Sequence, residues 1–328
     1  MKRKTDILIY TEGGHKLGMG NIYRSISLAN ELKKRGGKNV KFITTSNEKY
    51  VLDLIRQHKY PSLYYTKKKL LNKIIELDPK ILIIDFLGLD ESFVKEIKEK
   101  TNSKIVIIGN DTSANKYADI VINAIVGTKF KNKKHYINKT LYLEGPKYLV
   151  LRDEFAKKSL NYIYRGKLER VLLLFGGSDQ ANFTCKIFND LLNYDKKLKL
   201  TLVIGAGFKY EKELNELIKK HPNAIVKLYK NISNVSTVML KSDFIITSPG
   251  TALFEGFRLK IPILGLFQNH SQEKVFRNFF MTKKYQNIDN IGKLVNSIYI
   301  NIDKYKAGIN LIQAGEGKDE IINSILKL

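Results

Sequence analysis

Residues 243–267, DFIITSPGTALFEGFRLKIPILGLF, hold the pattern that decides the fold. A short apolar run, FIIT, leads into a Ser-Pro-Gly turn, a helical stretch follows, and a second apolar run begins after Pro262. Continuous runs of Ile, Leu and Phe indicate strands buried on both faces, as in parallel sheets. The stretch therefore predicts a strand, a crossover helix and a parallel neighbouring strand.

The same alternation of apolar runs and helical patterns extends over the rest of the chain. Further strands are predicted at 6–10, 39–45, 80–88, 104–111, 118–125, 170–179, 199–207 and 224–230. Helical patterns lie between most of them, beginning with one over 22–36. The predicted fold class is α/β, with two doubly wound parallel-sheet domains. Their strands should end at a shared cleft, where ligands of such folds bind.

The length of 328 residues predicts two domains of about 150 residues each. We place an N-terminal domain at 1–155 and a C-terminal domain at 168–328, joined by a polar linker near 153–168. The helical pattern over 317–328 either ends the second domain or packs back on the first.

The composition indicates a globular protein, with 43% hydrophobic and 27% charged residues. No apolar run approaches the roughly 18–20 residues of a membrane span, and no signal peptide is recognisable. A cytoplasmic location is expected, either free or peripheral to the inner membrane face. The net charge of +25 suits an anionic substrate, an acidic membrane surface or a generally lysine-rich composition. The lysines are dispersed and lack interleaved aromatics, so nucleic acid is not an expected partner.

Several cofactor classes are disfavoured by the motifs. The single Cys185 excludes an internal disulfide, and no pair of histidines has metal-ligand spacing, so no metal is expected. The loop GGHKLGMGN at 13–21 satisfies neither the P-loop pattern nor the G-x-G-x-x-G dinucleotide pattern. No bound cofactor is therefore predicted.

Three predicted strand-to-helix turns carry glycine, at 13–20, 176–177 and 249–250. Glycine lets backbone N–H groups approach a ligand, and a following helix N-terminus favours negative charge. Several such loops at one edge suit a diphosphate, although each could also be an ordinary tight turn. Glu255 lies about one helical turn beyond Thr251, where it could hold a ribose or stabilise the helix dipole.

The sequence resembles the pseudaminic-acid-pathway UDP-sugar hydrolases and the related spore-coat polysaccharide proteins. The wider group includes the glycosyltransferase that makes lipid II. The resemblance covers most of the chain, and its most specific motifs are GPKYLVLRDEF at 145–155 and FGGSD at 175–179. Further matches are GMGNIYR, LIIDFLGL, IIGNDT, ADIVIN and the stretch over 242–266. The family implies a GT-B fold whose second domain binds most of the nucleotide.

The resemblance implies roles for residues in both halves. Nucleotide and phosphate contacts would come from Gly18, Gly20, Gly176, Gly177, Ser178, Ser248, Gly250 and Thr251, with Glu255 on the ribose. Asp85 and Asp111 would bind the sugar or cap strand-end turns. Arg24 matches the family's arginine, as a substrate contact or as a buried ion pair.

One residue departs from the family pattern. After the second glycine the hydrolases carry a histidine thought to activate water, and this chain carries Asn21. An amide cannot act as a general base near neutrality, but Asn21 could cap the following helix or donate to an oxygen of the substrate. His15, in the same loop, is the first candidate for a replacement base, and His270 is a second.

Three functions follow from these observations. The first is a hydrolase that releases UDP from a UDP-sugar during synthesis of a nonulosonic, pseudaminic-like or related surface sugar. The second is a GT-B glycosyltransferase that moves the sugar to an acceptor of surface polysaccharide or glycoprotein, such as a glycan or an acceptor at the membrane surface. The third is a nucleotide-sugar-binding protein without catalysis. The overall resemblance favours the first, and Asn21 favours the second.

Overall fold

The computed structural model describes residues 6–14, 17–37, 39–125, 130–155 and 162–328. Its strands are β1 Ile7–Thr11, β2 Val40–Thr44, β3 Ser62–Tyr64, β4 Ile81–Asp85, β5 Lys104–Ile108, β6 Ile120–Asn123, β7 Lys133–Ile137, β8 Thr140–Glu144, β9 Arg170–Leu174, β10 Lys199–Ile204, β11 Ile225–Lys230, β12 Phe244–Thr247, β13 Ile263–Leu266 and β14 Thr282–Lys283. Its helices are α1 Gly20–Lys34, α2 Lys49–Gln57, α3 Lys67–Leu77, α4 Glu91–Lys100, α5 Phe183–Tyr194, α6 Glu211–Lys220, α7 Val235–Leu240, α8 Thr251–Arg258, α9 His270–Phe276, α10 Ile291–Ile300, α11 Ile302–Ile312 and α12 Lys318–Leu326.

These elements form two compact units. Unit 1 comprises the described residues of Met1–Arg152 and Gly315–Leu328, and unit 2 those of Asp153–Ala314. Helix α12, at the end of the chain, belongs to unit 1, where its buried isoleucines share an apolar cluster with Ile22 and Leu28 of α1. None of the helices in the described part of the chain is long and apolar enough to cross a bilayer.

Unit 1 is built on an eight-stranded sheet with the order β3-β2-β1-β4-β5-β6-β8-β7. One apolar cluster packs α1, α2 and α12 on one face, and a second packs α3 and α4 on the other. Both faces of the sheet are therefore covered, which explains the continuous apolar strands of the sequence.

The exception to parallel pairing in this sheet is the hairpin of β7 and β8. Ile137 pairs with Thr140, so a two-residue turn joins the strands, and Asn138 adopts the left-handed φ of 55° that such turns favour. The stretch before the turn, Lys133–Ile137, contains mostly polar residues and was not predicted as a strand. It forms the exposed edge of the sheet, where charged side chains oppose further strand pairing.

Unit 2 is built on a six-stranded parallel sheet with the order β11-β10-β9-β12-β13-β14. The strands and helices predicted from the sequence are present in both units. The βαβ unit over 243–267 appears as β12, α8 and β13. The elements that the sequence analysis missed are α3, α9–α11, β3, β7, β8 and β14, several of which are short or rich in polar residues.

In each sheet, the strand order reverses beside the first strand of the sheet. In unit 1 the chain runs outward from β1 to β3 and then returns to β4 on the other side of β1. In unit 2 it runs outward from β9 to β11 and returns to β12 beside β9. The carboxyl ends of β1 and β4, and of β9 and β12, are hereafter the switch points, the places where α/β sheets bind ligands.

Candidate functional site

The loop after β1 is a narrow turn at the unit 1 switch point. Gly14 N donates to Gly18 O at 3.0 Å, and Gly18 N donates to Gly14 O at 2.7 Å. Gly18 has a left-handed φ of 76°, which favours glycine. The N–H of Gly18 is thus engaged within the loop. His15, the predicted replacement base, lies outside the described residues.

Arg24 and Asp85 form a buried ion pair where α1 meets the end of β4. Arg24 Nε donates to Asp85 Oδ2 at 3.0 Å, its Nη2 pairs with Oδ1, and Ser25 Oγ donates to Oδ2 at 2.9 Å. The Asp85 side chain is fully buried and that of Arg24 is 12% exposed. Burial lowers the pKa of Arg24, but the carboxylate outweighs it, so the pKa lies above its ordinary value and the guanidinium stays charged.

Asn21 belongs to the same network and does not cap α1. Met19 is the N-cap, no side chain caps that end, and Asn21 is the second residue of the helix. Its Oδ1 accepts from Arg24 Nη2 at 2.9 Å, because residues three apart share one face of a helix. The predicted cap is therefore wrong, and Asn21 instead holds the guanidinium of Arg24.

Asp111 does not join Asp85. It is exposed in the loop after β5, whereas its neighbour Asn110 is buried. Asn110 Oδ1 accepts from the N–H groups of Gly88 and Leu89, both at 3.2 Å, and so closes the loop after β4. The turn-capping role considered for the two aspartates is carried out here by Asn110.

At the unit 2 switch point, the loop after β9 contains Gly176, Gly177 and Ser178. Gly176 has a left-handed φ of 78°. The loop also lies directly against the end of β10: a Cβ built on Gly205 would lie 2.5 Å from Gly177 Cα. Gly207 N donates to Gly177 O at 2.9 Å. This contact fixes the position of the glycine loop. The loop can approach so closely because residue 205 has no side chain.

The end of helix α5 that follows this loop is already capped. Asp179 accepts from Phe183 N at 2.9 Å and from Thr184 N at 2.7 Å. Burial raises the pKa of Asp179 above its usual range, although these hydrogen bonds oppose the shift. Because a carboxylate occupies its first free N–H groups, α5 offers little to a phosphate.

The loop after β12 leads to an open helix end. Gly250 is the N-cap of α8, no side-chain cap of this end is found among the described residues, and its first turn contains no acidic residue. Thr247 Oγ1 donates to Leu174 O at 2.5 Å, which ties the ends of β12 and β9 together. Ser248 and Thr251 flank the Pro-Gly turn beside this open end. Glu255 is buried, 1% exposed, beyond the first turn of α8, so it is not a first-turn residue stabilising the dipole.

The structure thus brings the predicted residues together in two sets. Asn21, Arg24 and Asp85 are in contact in unit 1, and the two glycine-containing loops end adjacent strands in unit 2. His270 is exposed at the start of α9. Sequence reasoning missed Glu12, Asp179 and Gly205. Glu12 lies two residues after a predicted strand, Asp179 two residues after a glycine pair and Gly205 near the end of a predicted strand, and these positions are the signal that could have identified them.

Two curated relatives match the chain, and no protein-family model does. The uncharacterized protein MJ1062 of Methanocaldococcus jannaschii is 38% identical over 98% of this chain, which spans 66% of that relative's length. The spore coat polysaccharide biosynthesis protein SpsG of Bacillus subtilis is 26% identical over 83% of this chain and 80% of its own length.

Among solved structures, the chain is similar to Alr3699/HepE of Anabaena, crystallised in complex with UDP and glucose. The TM-score is 0.62 at 13% identity, with 99% of this chain and 100% of that chain covered. The predicted GT-B fold is confirmed. The predicted relationship to the spore-coat polysaccharide proteins is also confirmed: the chain is a relative of SpsG with the GT-B fold.

Proposed function

For this relative of SpsG, we propose the function of a nucleotide-sugar-processing enzyme that cleaves a UDP-sugar and releases UDP. The reaction would serve synthesis of a nonulosonic, pseudaminic-like or related surface sugar. Unit 2 would bind the nucleotide, and the unit 1 switch point would supply contacts to the sugar.

The observation that carries this proposal is the pair of loops at the unit 2 switch point. Helix α8 begins without a side-chain cap or an acidic residue in its first turn, so its N–H groups are available to an anion. The Gly176–Gly177 loop ends the adjacent strand. Two donor-rich loops side by side suit the two phosphates of UDP, and backbone donors can stabilise the departing diphosphate without a metal.

The comparisons support the nucleotide and the biological context. HepE is described with UDP and glucose, and SpsG is named for spore coat polysaccharide biosynthesis. Glu255, on the helix that begins at the open end, is the proposed ribose ligand. Ser178, Ser248 and Thr251 are the proposed hydroxyl contacts to the phosphates.

Asn21 favours a second candidate, a glycosyltransferase of the same fold. Its amide has no titratable proton near neutrality, and its oxygen is bound by Arg24. On this second proposal, Asn21 would stand where the resembled hydrolases carry a histidine, and its oxygen binds Arg24 instead of taking a proton from water. The nucleophile would then be a hydroxyl of a glycan or membrane-surface acceptor. A binding protein without catalysis is the third candidate.

The test is UDP release from a panel of UDP-sugars, including 2,4-diacetamido-trideoxyhexoses, without and with acceptor glycans. Release without an acceptor supports the hydrolase. Release that requires an acceptor supports the transferase, and Asn21→His should then gain hydrolysis. UDP binding without any release leaves only the binding protein, and absence of UDP binding overturns the proposal.

Two serines that flank β12, one before and one after the strand, give a matched control for the nucleotide site. Ser248→Ala, at the carboxyl end, should weaken UDP binding about three- to tenfold, as expected for one hydrogen bond of about 0.5–1.5 kcal/mol. Ser242 precedes the amino end of β12 and donates to Val238 O at 3.0 Å. Ser242→Ala should leave UDP affinity unchanged. Equal effects of the two changes would contradict the placement of the site.

A further inference from the structure

Glu12 is a buried carboxylate at the unit 1 switch point that the proposed function does not yet use. It directly follows β1 and precedes the glycine loop, and its exposed fraction is 5%. Gly13, the next residue, is fixed by a hydrogen bond from its N–H to Ser46 Oγ at 3.1 Å. The carboxylate therefore has a defined position at the edge where α/β sheets bind ligands.

The hydrogen bonds of Glu12 are one-sided. Tyr10 Oη donates to Glu12 Oε1 at 2.5 Å, and Thr45 Oγ1 donates to the same oxygen. Within the part of the chain that the structure describes, no donor is found for Oε2 and no Lys, Arg or His forms an ion pair with Glu12. Asp85, in contrast, has both oxygens bound by Arg24 and Ser25. Burial of a carboxylate without a cation costs free energy. Because Oε2 accepts no hydrogen bond from the described residues, its lone pairs remain available to a donor or a proton.

The partner Tyr10 is rigidly held and stays protonated. Its ring lies 5.9 Å from that of Phe86 and 6.2 Å from that of Phe93. Burial, and then the hydrogen bond to Glu12, raise the pKa of Tyr10 far above its ordinary value. The phenol therefore stays protonated and donates to Oε1 of Glu12, so this hydrogen bond leaves Oε2 unengaged.

We propose that Glu12 is the proton acceptor of the reaction. It would take the proton from the attacking hydroxyl of water or of an acceptor through Oε2. The oxygen of that hydroxyl forms the new bond to the anomeric carbon, the bond from this carbon to the diphosphate oxygen breaks, and UDP departs with the electron pair. This inference rests on the proposed function and holds for the hydrolase and for the transferase. It gives the reaction the base that Asn21 cannot provide.

The test compares Glu12→Gln with the unchanged protein on the UDP-sugar that the panel identifies. The amide keeps the shape and can accept from Tyr10, but it cannot take up a proton. We expect turnover at saturating substrate to fall at least 100-fold, the usual range for a lost general base, with UDP affinity within twofold. Formate should partly restore turnover of Glu12→Ala, as a small carboxylate enters the space.

Two further variants make the result decisive. Glu48→Gln changes a nearby carboxylate that accepts from Tyr50, and turnover should stay within threefold. His15→Ala removes the base predicted from the sequence, and it should reduce turnover far less than Glu12→Gln. Turnover of Glu12→Gln above one third of the unchanged rate, or loss confined to His15→Ala, overturns the proposal. If the unchanged protein releases no UDP under any condition, the proposed function itself fails and this inference with it.

Discussion

The two switch points of the molecule are built from different parts of the chain. In unit 1 the site consists of side chains: the buried Asp85 carboxylate binds Arg24 and Ser25, and Arg24 in turn binds Asn21. In unit 2 it consists of backbone: the Gly176–Gly177 loop and the open start of α8, where Gly250 is the N-cap. The two sheets have the same strand order around their first strand, so the difference comes from the loops and not from the fold.

This difference separates two kinds of recognition. The backbone N–H groups of the two unit 2 loops would bind the proposed diphosphate through the glycines and the helix start, with little demand on side chains. A network of Arg, Asp and Asn has fixed geometry and charge, so it selects what it contacts and positions reacting groups. The comparison predicts that changes in unit 1 act on stability and chemistry, whereas changes in unit 2 act on nucleotide affinity.

The largest expected effect follows from removing the Asp85 carboxylate that pairs with Arg24. Asp85→Ala leaves the guanidinium buried without a counter-charge, which should lower the free energy of unfolding by about 3–5 kcal/mol. Urea denaturation followed by circular dichroism measures it. Asp111→Ala, at an exposed aspartate after the neighbouring strand, should change stability by less than about 0.5 kcal/mol. A loss below about 1 kcal/mol for Asp85→Ala would show that this network is not a structural core of unit 1.

The second effect concerns the backbone site of unit 2. Gly205→Ala places a Cβ 2.5 Å from Gly177 Cα and 2.6 Å from its carbonyl oxygen, so the glycine loop must move. We expect UDP affinity to fall tenfold or more, equivalent to about 1.4 kcal/mol, measured by calorimetry. The exposed Ala206→Ser is the matched control and should bind UDP normally. If Gly205→Ala leaves the UDP affinity unchanged, the phosphates do not bind to this loop.

A smaller effect on stability is expected at Asn21, whose side-chain oxygen accepts a hydrogen bond from Arg24. Asn21→Ala removes one hydrogen bond to a charged group that keeps its stronger partner, so the expected loss is about 1 kcal/mol. Thermal or urea unfolding measures it, with the surface pair variant Glu31→Ala as a reference for an ordinary change on α1. A loss as large as that of Asp85→Ala would show that Asn21 and Asp85 hold Arg24 equally.

The fold could be predicted from the sequence because its strands are continuous apolar runs bounded by glycine. The βαβ unit over 243–267 is typical, since burial on both faces leaves a strong and local signal. The β7–β8 hairpin could not be predicted in the same way. Its first strand is an exposed edge whose lysines carry no apolar period, and its pairing depends on the turn at Asn138.

The site was only partly predictable for a related reason. The family resemblance named Arg24 and Asp85 as separate candidates, but it did not predict that they contact each other or which of their atoms are engaged. The capping of α5 by Asp179 and the hydrogen bonds of Tyr10 and Thr45 to one oxygen of Glu12 depend on three-dimensional contacts between residues that are unremarkable in sequence. The Asn110 side chain, and not Asp111, closes the β4 loop because only one of the two points inward.

The smallest effect concerns the helix end that is already occupied. Burial raises the pKa of Asp179, so the folded protein binds its proton more tightly than the unfolded chain does. Stability should therefore fall as pH rises through the window from the ordinary aspartate pKa of about 3.9 to the raised value, and level off above it. Asp179→Asn removes this slope and keeps a capping oxygen, so near neutrality stability should change by less than about 1 kcal/mol. Urea unfolding between pH 3 and pH 8 tests it. An unchanged slope in Asp179→Asn would assign the pH dependence to other carboxylates.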